Sequence, residues 1–459
     1  MSMTAASASN GSNAPSADAP GVVSIGTESD AATLPAQEAF ALACAGDREL
    51  VLACRFWTGG IRLGIGDQWL GFTVADGEIT GSVPAEAGDG VVTVTGSADG
   101  WAPLLAVPQP RLARLAPMMV LGVLDNSETE QLTLWQYLPA LERTAELLRE
   151  LADEASLAAT AVLPQDGSAS RHDSPVGRYV HVELGDSAGR RADYRLYYEE
   201  AGDGIPLLAQ HTAGAQSLQW RHLFERSEIT DRFRLIAYDL PYHGKSLPPH
   251  GLPWWCEDYR LEGAFLRQVP VALSEALGLD RPVFLGCSVG GMLALDLALR
   301  HPDEFRAVIS VGGALHVGGD WDGFAVASHP AVSSHAKARL MESLCGPDAP
   351  TPYVKEVSHV YSAAWPPAFW GDLYYYMVEH DLRERAHEID TSRVGVHILS
   401  GEHDWSGLVE HGQAAHEAIA GSTFAEMAGI GHFAMQEQPE AFIGHLLSVL
   451  DCIEADATF

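Results

Sequence analysis

A chain of 459 residues, 47% of them hydrophobic, is long enough for two folded cores and too apolar to be disordered throughout. Its charge balance, 28 basic against 61 acidic residues, leaves a formal net charge of -33, which repels phosphate backbones and sets nucleic acid aside as a partner. Six scattered cysteines, Cys44, Cys54, Cys256, Cys287, Cys345 and Cys452, show no CxxC or CxH spacing. Neither a disulfide framework nor a metal site is therefore expected, and a cytoplasmic location is.

Residues 1–35 are rich in Ala, Ser, Asn and Pro and read as a disordered tail. The stretch lacks the basic and apolar regions of a secretory signal. Nowhere does an apolar run reach the roughly 18 residues that a membrane helix needs.

Residues 36–158 read as a small α+β domain. Three strand-like runs, Gly60 to Gly66, Gln68 to Ala75 and Val91 to Gly96, are bounded by Gly59-Gly60, Asp67 and Asp76-Gly77, which favour tight turns. Thr133 to Glu154 carries leucines at helical spacing and predicts an amphipathic helix. The unit has no clustered nucleophile, base or metal ligand, so it is expected to be a separate domain that the chemistry does not need. Its apolar side chains, Trp57, Trp69, Phe72, Trp101, Met118 and Met119, could close a small core, hold a lipid or bury an interface. A homo-oligomer interface is the favoured use. A Pro, Gly and Ser-containing linker spans 159–175.

From residue 176 to 459 the pattern changes to short apolar runs alternating with helical segments. Gly177 to Leu184 and Tyr194 to Glu200 predict an opening hairpin. Ile205 to Gln210, Phe233 to Tyr238, Pro282 to Leu285, Phe305 to Val311, Val394 to Leu399 and Thr423 to Met427 predict strands buried on both faces. The fold class is α/β, a mostly parallel sheet with helices on both sides. Ligands on such sheets lie at the carboxyl ends of the strands.

Gly286-Cys287-Ser288-Val289-Gly290 satisfies G-x-S-x-G between a predicted strand and a predicted helix. That context puts a serine on a sharp strand-to-helix turn, where the small flanking residues let the backbone close. Ser288 is the candidate nucleophile, and Cys287 reads as packing. His432, in Gly431-His432 after the last predicted strand, is the candidate base. Asp404, three residues after Gly401 on the preceding strand's end, is the candidate acid, with Glu402 as its rival. The chain order Ser, Asp, His agrees with the elbow motif. His403, Asp404, His411 and His416 could be mistaken for a metal cluster, but their spacing is wrong for one and no cofactor is expected.

Over about 176–450 these motifs resemble the α/β-hydrolase superfamily, in its serine-esterase-like form. His211-Thr212-Ala213-Gly214 is similar to the family's His-Gly loop, and Asp239 to Ser246 to its D-x-x-G-x-G-x-S loop. Thr212 stands where the family usually has glycine, and Pro241-Tyr242-His243 replaces a glycine-containing triplet. The resemblance implies an oxyanion hole made by the backbone N–H groups of Ala213 and Val289, and a cap at about 313–390. In that insert and beside the Asp239 loop lie Trp254, Trp321, Trp365, Trp370 and Tyr375, which with His211 and Thr212 are candidate pocket residues for an apolar or aromatic small-molecule substrate. The implied reaction is hydrolysis of a carboxylic ester, lactone or carbamate. The alternatives are C–C bond hydrolysis of a diketone-like substrate by the same triad, and a lipid-binding or regulatory protein on a hydrolase scaffold. The Val91 to Trp101 segment resembles a sterol-carrier-type domain.

Overall fold

A computed structural model describes residues 34–152 and 173–455. The predicted tail, apart from its last two residues, and nearly all of the predicted linker lie outside the described residues. Two sheets carry the chain. The first has the order β3-β2-β1-β4, from β1 (Gly59–Ile65), β2 (Gln68–Ala75), β3 (Glu78–Thr80) and β4 (Val91–Gly96). The β1–β2 hairpin is antiparallel and β1–β4 is parallel.

Helices Gln37–Gly46, Arg48–Cys54 and Gln131–Ala152 pack on this sheet. The two early helices and β3 are not among the sequence-based expectations. Asp47 separates those helices and caps the second by accepting from the Leu50 N–H. Its carboxylate also pairs with Arg143 on the long helix at 2.9 Å. Trp57, Phe72, Trp101 and Met118 are buried, so they close the unit's own core and are not available to a second subunit. Trp69 stays partly exposed beneath Arg62. Leu42, Leu52 and Phe56 are exposed on the same unit.

The second sheet has eight strands in the order β12-β11-β10-β9-β7-β8-β6-β5. Its members are β5 (Val176–Gly185), β6 (Arg191–Ala201), β7 (Ile205–Gln210), β8 (Phe233–Tyr238), β9 (Val283–Cys287), β10 (Ala307–Val311), β11 (Gly395–Gly401) and β12 (Thr423–Met427). β5 and β6 form the expected antiparallel hairpin, β6 joins β8 antiparallel, and the remaining pairs are parallel. β9 and β10 are buried at every position, as continuous apolar runs require. The chain passes from β7 out to β8 and returns to β9 on β7's other side, which makes a switch point between β7 and β9.

Between β10 and β11 the insert contributes helices Ser334–Glu342, Thr351–Ser362 and Pro366–Tyr374. The Gln131–Ala152 helix packs on the first of these, and one apolar core runs through both units. Arg339, 1% exposed in its side chain, pairs there with Glu342 and reaches across to Glu146 at 2.9 Å and Glu49 at 3.2 Å. No helix among the described residues is long and apolar enough to cross a membrane.

Candidate active site

The site forms where β7, β9, β11 and β12 end. Ser288 follows β9 and precedes the Val289–Arg300 helix. Its φ of 58° and ψ of -113° lie outside the usual regions for a side-chain-bearing residue, the strain a nucleophile elbow stores. Only glycine suits position 286, because a Cβ there would lie 2.2 Å from the Gly290 carbonyl oxygen. The Ser288 N–H donates to the Val311 carbonyl at 2.9 Å, which ties the elbow to β10.

His432 lies on the loop after β12 and Asp404 on the loop after β11, and the fold brings them together. His432 Nδ1 donates to Asp404 Oδ2 at 2.6 Å, with both side chains buried. Asp404 Oδ1 accepts from the Ser406 and Gly407 N–H groups, each at 2.8 Å. Glu402, the rival, is 40% exposed and accepts from the Gly429 N–H, so it braces the loop after β12 from outside. The buried Cys287 thiol donates to the His432 carbonyl at 3.3 Å, so the residue beside the candidate nucleophile holds the backbone of the candidate base. Burial pushes that thiol well above its usual range, as packing and not reactivity would have it.

In the loop after β7, the Thr212 N–H donates to Gln219 Oε1 at 2.9 Å and the Gly214 N–H to Asp372 Oδ2 at 2.7 Å. The Ala213 N–H between them has no hydrogen-bond partner among the described residues. Val289 is the first residue of its helix, where the N–H has no intrahelical acceptor. Both N–H groups are thus free to serve the oxyanion role that the sequence resemblance implies for them.

His211 and Thr212 are held in the scaffold. The buried His211 ring accepts from the Leu240 N–H through Nε2 and donates from Nδ1 to the Thr212 carbonyl. Burial, aided by neighbouring His243, drops its pKa to about 3, so it stays neutral. The Thr212 hydroxyl donates to Gln219 and also bonds the Tyr361 hydroxyl. Its departure from glycine thus adds an anchor to the loop.

The aromatic candidates divide into three groups. Trp321 and Trp370 stack at 4.7 Å, each indole N–H donating to the other's carbonyl, which is a fastening within the insert. Trp254 and Trp365 cluster with Tyr242 and Tyr259. Trp254, Tyr242 and Tyr259 border a cavity of about 300 Å³ that Ser288, Asp404 and His432 do not line. Tyr375 is buried away from the elbow, bonding Asp296 and His380.

Tyr376, outside the candidate set, is the neighbour of Ser288. Its hydroxyl bonds Ser406 on the loop after β11, and burial raises its pKa while the Ser406 and Ser288 hydroxyls act the other way. The segment Tyr375–Glu379 is a π-helical turn, a widened turn often found at functional sites, and it aims two adjacent tyrosines at different partners. A run of three tyrosines was visible in the sequence, but which one faces the serine depends on that extra residue in the turn. Asp372, also unsuspected, is fully buried and accepts from Gly214, His243 and Tyr259. It anchors the loop after β7 to the insert. Burial pulls the His243 pKa down, and the Asp372 carboxylate outweighs it, leaving the pKa raised.

Residues 205–353 match the family described as alpha/beta hydrolase fold. Bifunctional epoxide hydrolase 2 of Sus scrofa is 32% identical over 117 residues, which are 26% of this chain and 20% of that relative, so this chain spans about a fifth of that protein's length. An uncharacterized protein of Mycobacterium tuberculosis is 26% identical over 287 residues, 57% of this chain and 80% of that relative. Among solved structures, a thermophilic esterase from Thermogutta terrifontis superposes with a TM-score of 0.52 at 19% identity, covering 60% of this chain and 99% of that one. That degree of likeness speaks for the fold.

Proposed function

We propose, on the premise that this chain belongs to the α/β-hydrolase superfamily, that it hydrolyses carboxylic esters through an acyl-enzyme on Ser288. Ser288 Oγ attacks the ester carbonyl carbon as His432 Nε2 takes the hydroxyl proton. The carbonyl oxygen becomes an oxyanion facing the Ala213 and Val289 N–H groups. The C–O bond breaks, and the alcohol departs with the proton from His432. Water then attacks the acyl carbon, again giving a proton to His432, and the acid leaves as Ser288 is reprotonated. Asp404 keeps the proton on Nδ1 and stabilises the imidazolium without becoming protonated itself.

The observation that carries this reading is the buried 2.6 Å bond between His432 Nδ1 and Asp404, at the same edge of the sheet as a serine held at positive φ at the end of β9. The substrate is a small molecule whose apolar acyl group meets aromatic surface. Phe433 packs edge-on against His432 at 5.0 Å, and Phe369 covers Gly214. The test is a series of p-nitrophenyl esters of rising chain length beside a vinylogous diketone. Ester turnover, its loss in Ser288→Ala and fluorophosphonate labelling of Ser288 are the expected results. Cleavage of the diketone alone, or unchanged turnover in the alanine variant, overturns the reading.

A further inference from the structure

The N-terminal unit meets the rest of the chain beside the loop that carries His432. Residues 342–346 of the insert form a turn there whose polar backbone groups are largely spoken for by that loop and its neighbours. The Leu344 carbonyl accepts the N–H of His432 itself at 2.9 Å. The Gly346 N–H donates to Glu437 Oε2 at 2.6 Å, and Glu437 Oε1 accepts the Gly431 N–H, one residue before the base. The Ser343 carbonyl accepts the indole N–H of Trp405, next to Asp404, at 3.2 Å. The turn and the loop touch backbone to backbone: a Cβ on Gly431 would lie 2.3 Å from the Leu344 oxygen. So the turn seats the base and borders the acid.

Two carbonyls of this turn, those of Glu342 and Gly346, point the other way. Both are taken by one guanidinium from the N-terminal unit: Arg114 Nη1 donates to the Glu342 oxygen at 2.7 Å and Nη2 to the Gly346 oxygen at 3.0 Å. Three residues earlier, Arg111 makes a two-pronged pair with Glu410, at the start of the helix that follows the acid's loop. A planar guanidinium fixes the distance between two acceptors, which a lysine ammonium does not. The arrangement fixes both ends of the turn at once.

We infer that Arg114 is a positioning residue for His432, so that the N-terminal unit sets the placement of the base. This rests on the reading of His432 as the base. A turn freed of its clamp lets His432 drift, and a displacement of about 1 Å at a reacting group costs on the order of 100-fold in rate. In the full-length chain, Arg114→Ala is expected to lower kcat on p-nitrophenyl acetate by roughly 10- to 100-fold with KM held. Arg114→Lys recovers part of the loss, and millimolar guanidinium restores part of it to the alanine variant. A merely structural role would show as a lower melting temperature without such rescue. Should the alanine variant not fold, the lysine variant decides: intermediate kcat supports the inference and wild-type kcat overturns it. A kcat within twofold of wild type in folded Arg114→Ala also overturns it. Absence of turnover in the wild type is the failure of the esterase reading and not of the clamp. The clamp is then read by amide hydrogen exchange. Lost protection confined to 343–346 and 430–432 in the arginine variants supports it, and unchanged protection overturns it.

Discussion

Replacing Asp404 by Asn separates the two candidate carboxylates and tests the triad at its least ambiguous contact. The carboxylate is buried and spends both oxygens: Oδ1 on the Ser406 and Gly407 N–H groups, Oδ2 on His432 Nδ1. Asparagine has one oxygen. If that oxygen keeps the two backbone donors, the amide NH₂ faces His432 Nδ1, which must then accept. The ring proton moves to Nε2, and no lone pair remains there for the Ser288 proton. The flipped amide would keep the right tautomer but set an NH₂ against two buried N–H donors, and each such loss costs about 1–3 kcal/mol. The wrong tautomer is therefore favoured, and the fold survives. Kcat on a p-nitrophenyl ester should fall on the order of ten-thousand-fold, about 5 kcal/mol of transition-state stabilisation. Circular dichroism should stay unchanged. Glu402→Gln, at a partly exposed carboxylate that accepts the Gly429 N–H and lies 3.9 Å from His403 Nε2, should stay within a few-fold of wild type. A greater loss in Glu402→Gln than in Asp404→Asn, or more than a hundredth of wild-type kcat in the latter, refutes the assignment.

Three further outcomes are expected. Lys337, 1% exposed with no hydrogen-bond partner at Nζ among the described residues, has its pKa lowered by burial from 10.5 to about 8. The folded chain therefore gives up this proton before the unfolded chain does, and stability rises with pH between about 8 and 10.5, by about 3 kcal/mol in all. Lys337→Met should be more stable than wild type at pH 7 in urea titrations and lose that rise; an equal rise in both proteins refutes it. Iodoacetamide should modify the exposed Cys256 and Cys452 and spare the buried Cys44, Cys54, Cys287 and Cys345, without loss of turnover, as peptide mapping and assay would show. If the N-terminal unit supports a homo-oligomer, the exposed Leu42, Leu52 and Phe56 are its available apolar surface. Light scattering should then give a multiple of the chain mass for wild type and a lower one for Phe56→Glu, and a monomeric wild type removes the proposal.

What the amino-acid order determined by itself is local. A strand, Gly286, Ser288 and a following helix specify the elbow, because the close approach of residue 286 to residue 290 is a contact within one turn. The hairpin, the buried parallel strands and the loops bearing Asp404 and His432 were legible for the same reason: periodicity and turn residues act over a few positions. Helices Gln37–Gly46 and Arg48–Cys54 were not, since their apolar residues gain a face only on packing against β2, β3 and the Gln131–Ala152 helix. Nor was the division of labour among the aromatics, where Tyr375 faces Asp296 and Tyr376 faces Ser288 across a π-turn. The sequence does not show that Gln219 and Tyr361 hold the Thr212 hydroxyl, because both partners come from other parts of the fold. The clearest case is Arg114, an arginine without a motif in a unit whose sequence offers no catalytic candidate, and its acceptors lie 228 and 232 residues away. A hydrogen bond of that span leaves no periodicity to read, because its two ends are selected by packing between units and not by each other's place in the chain.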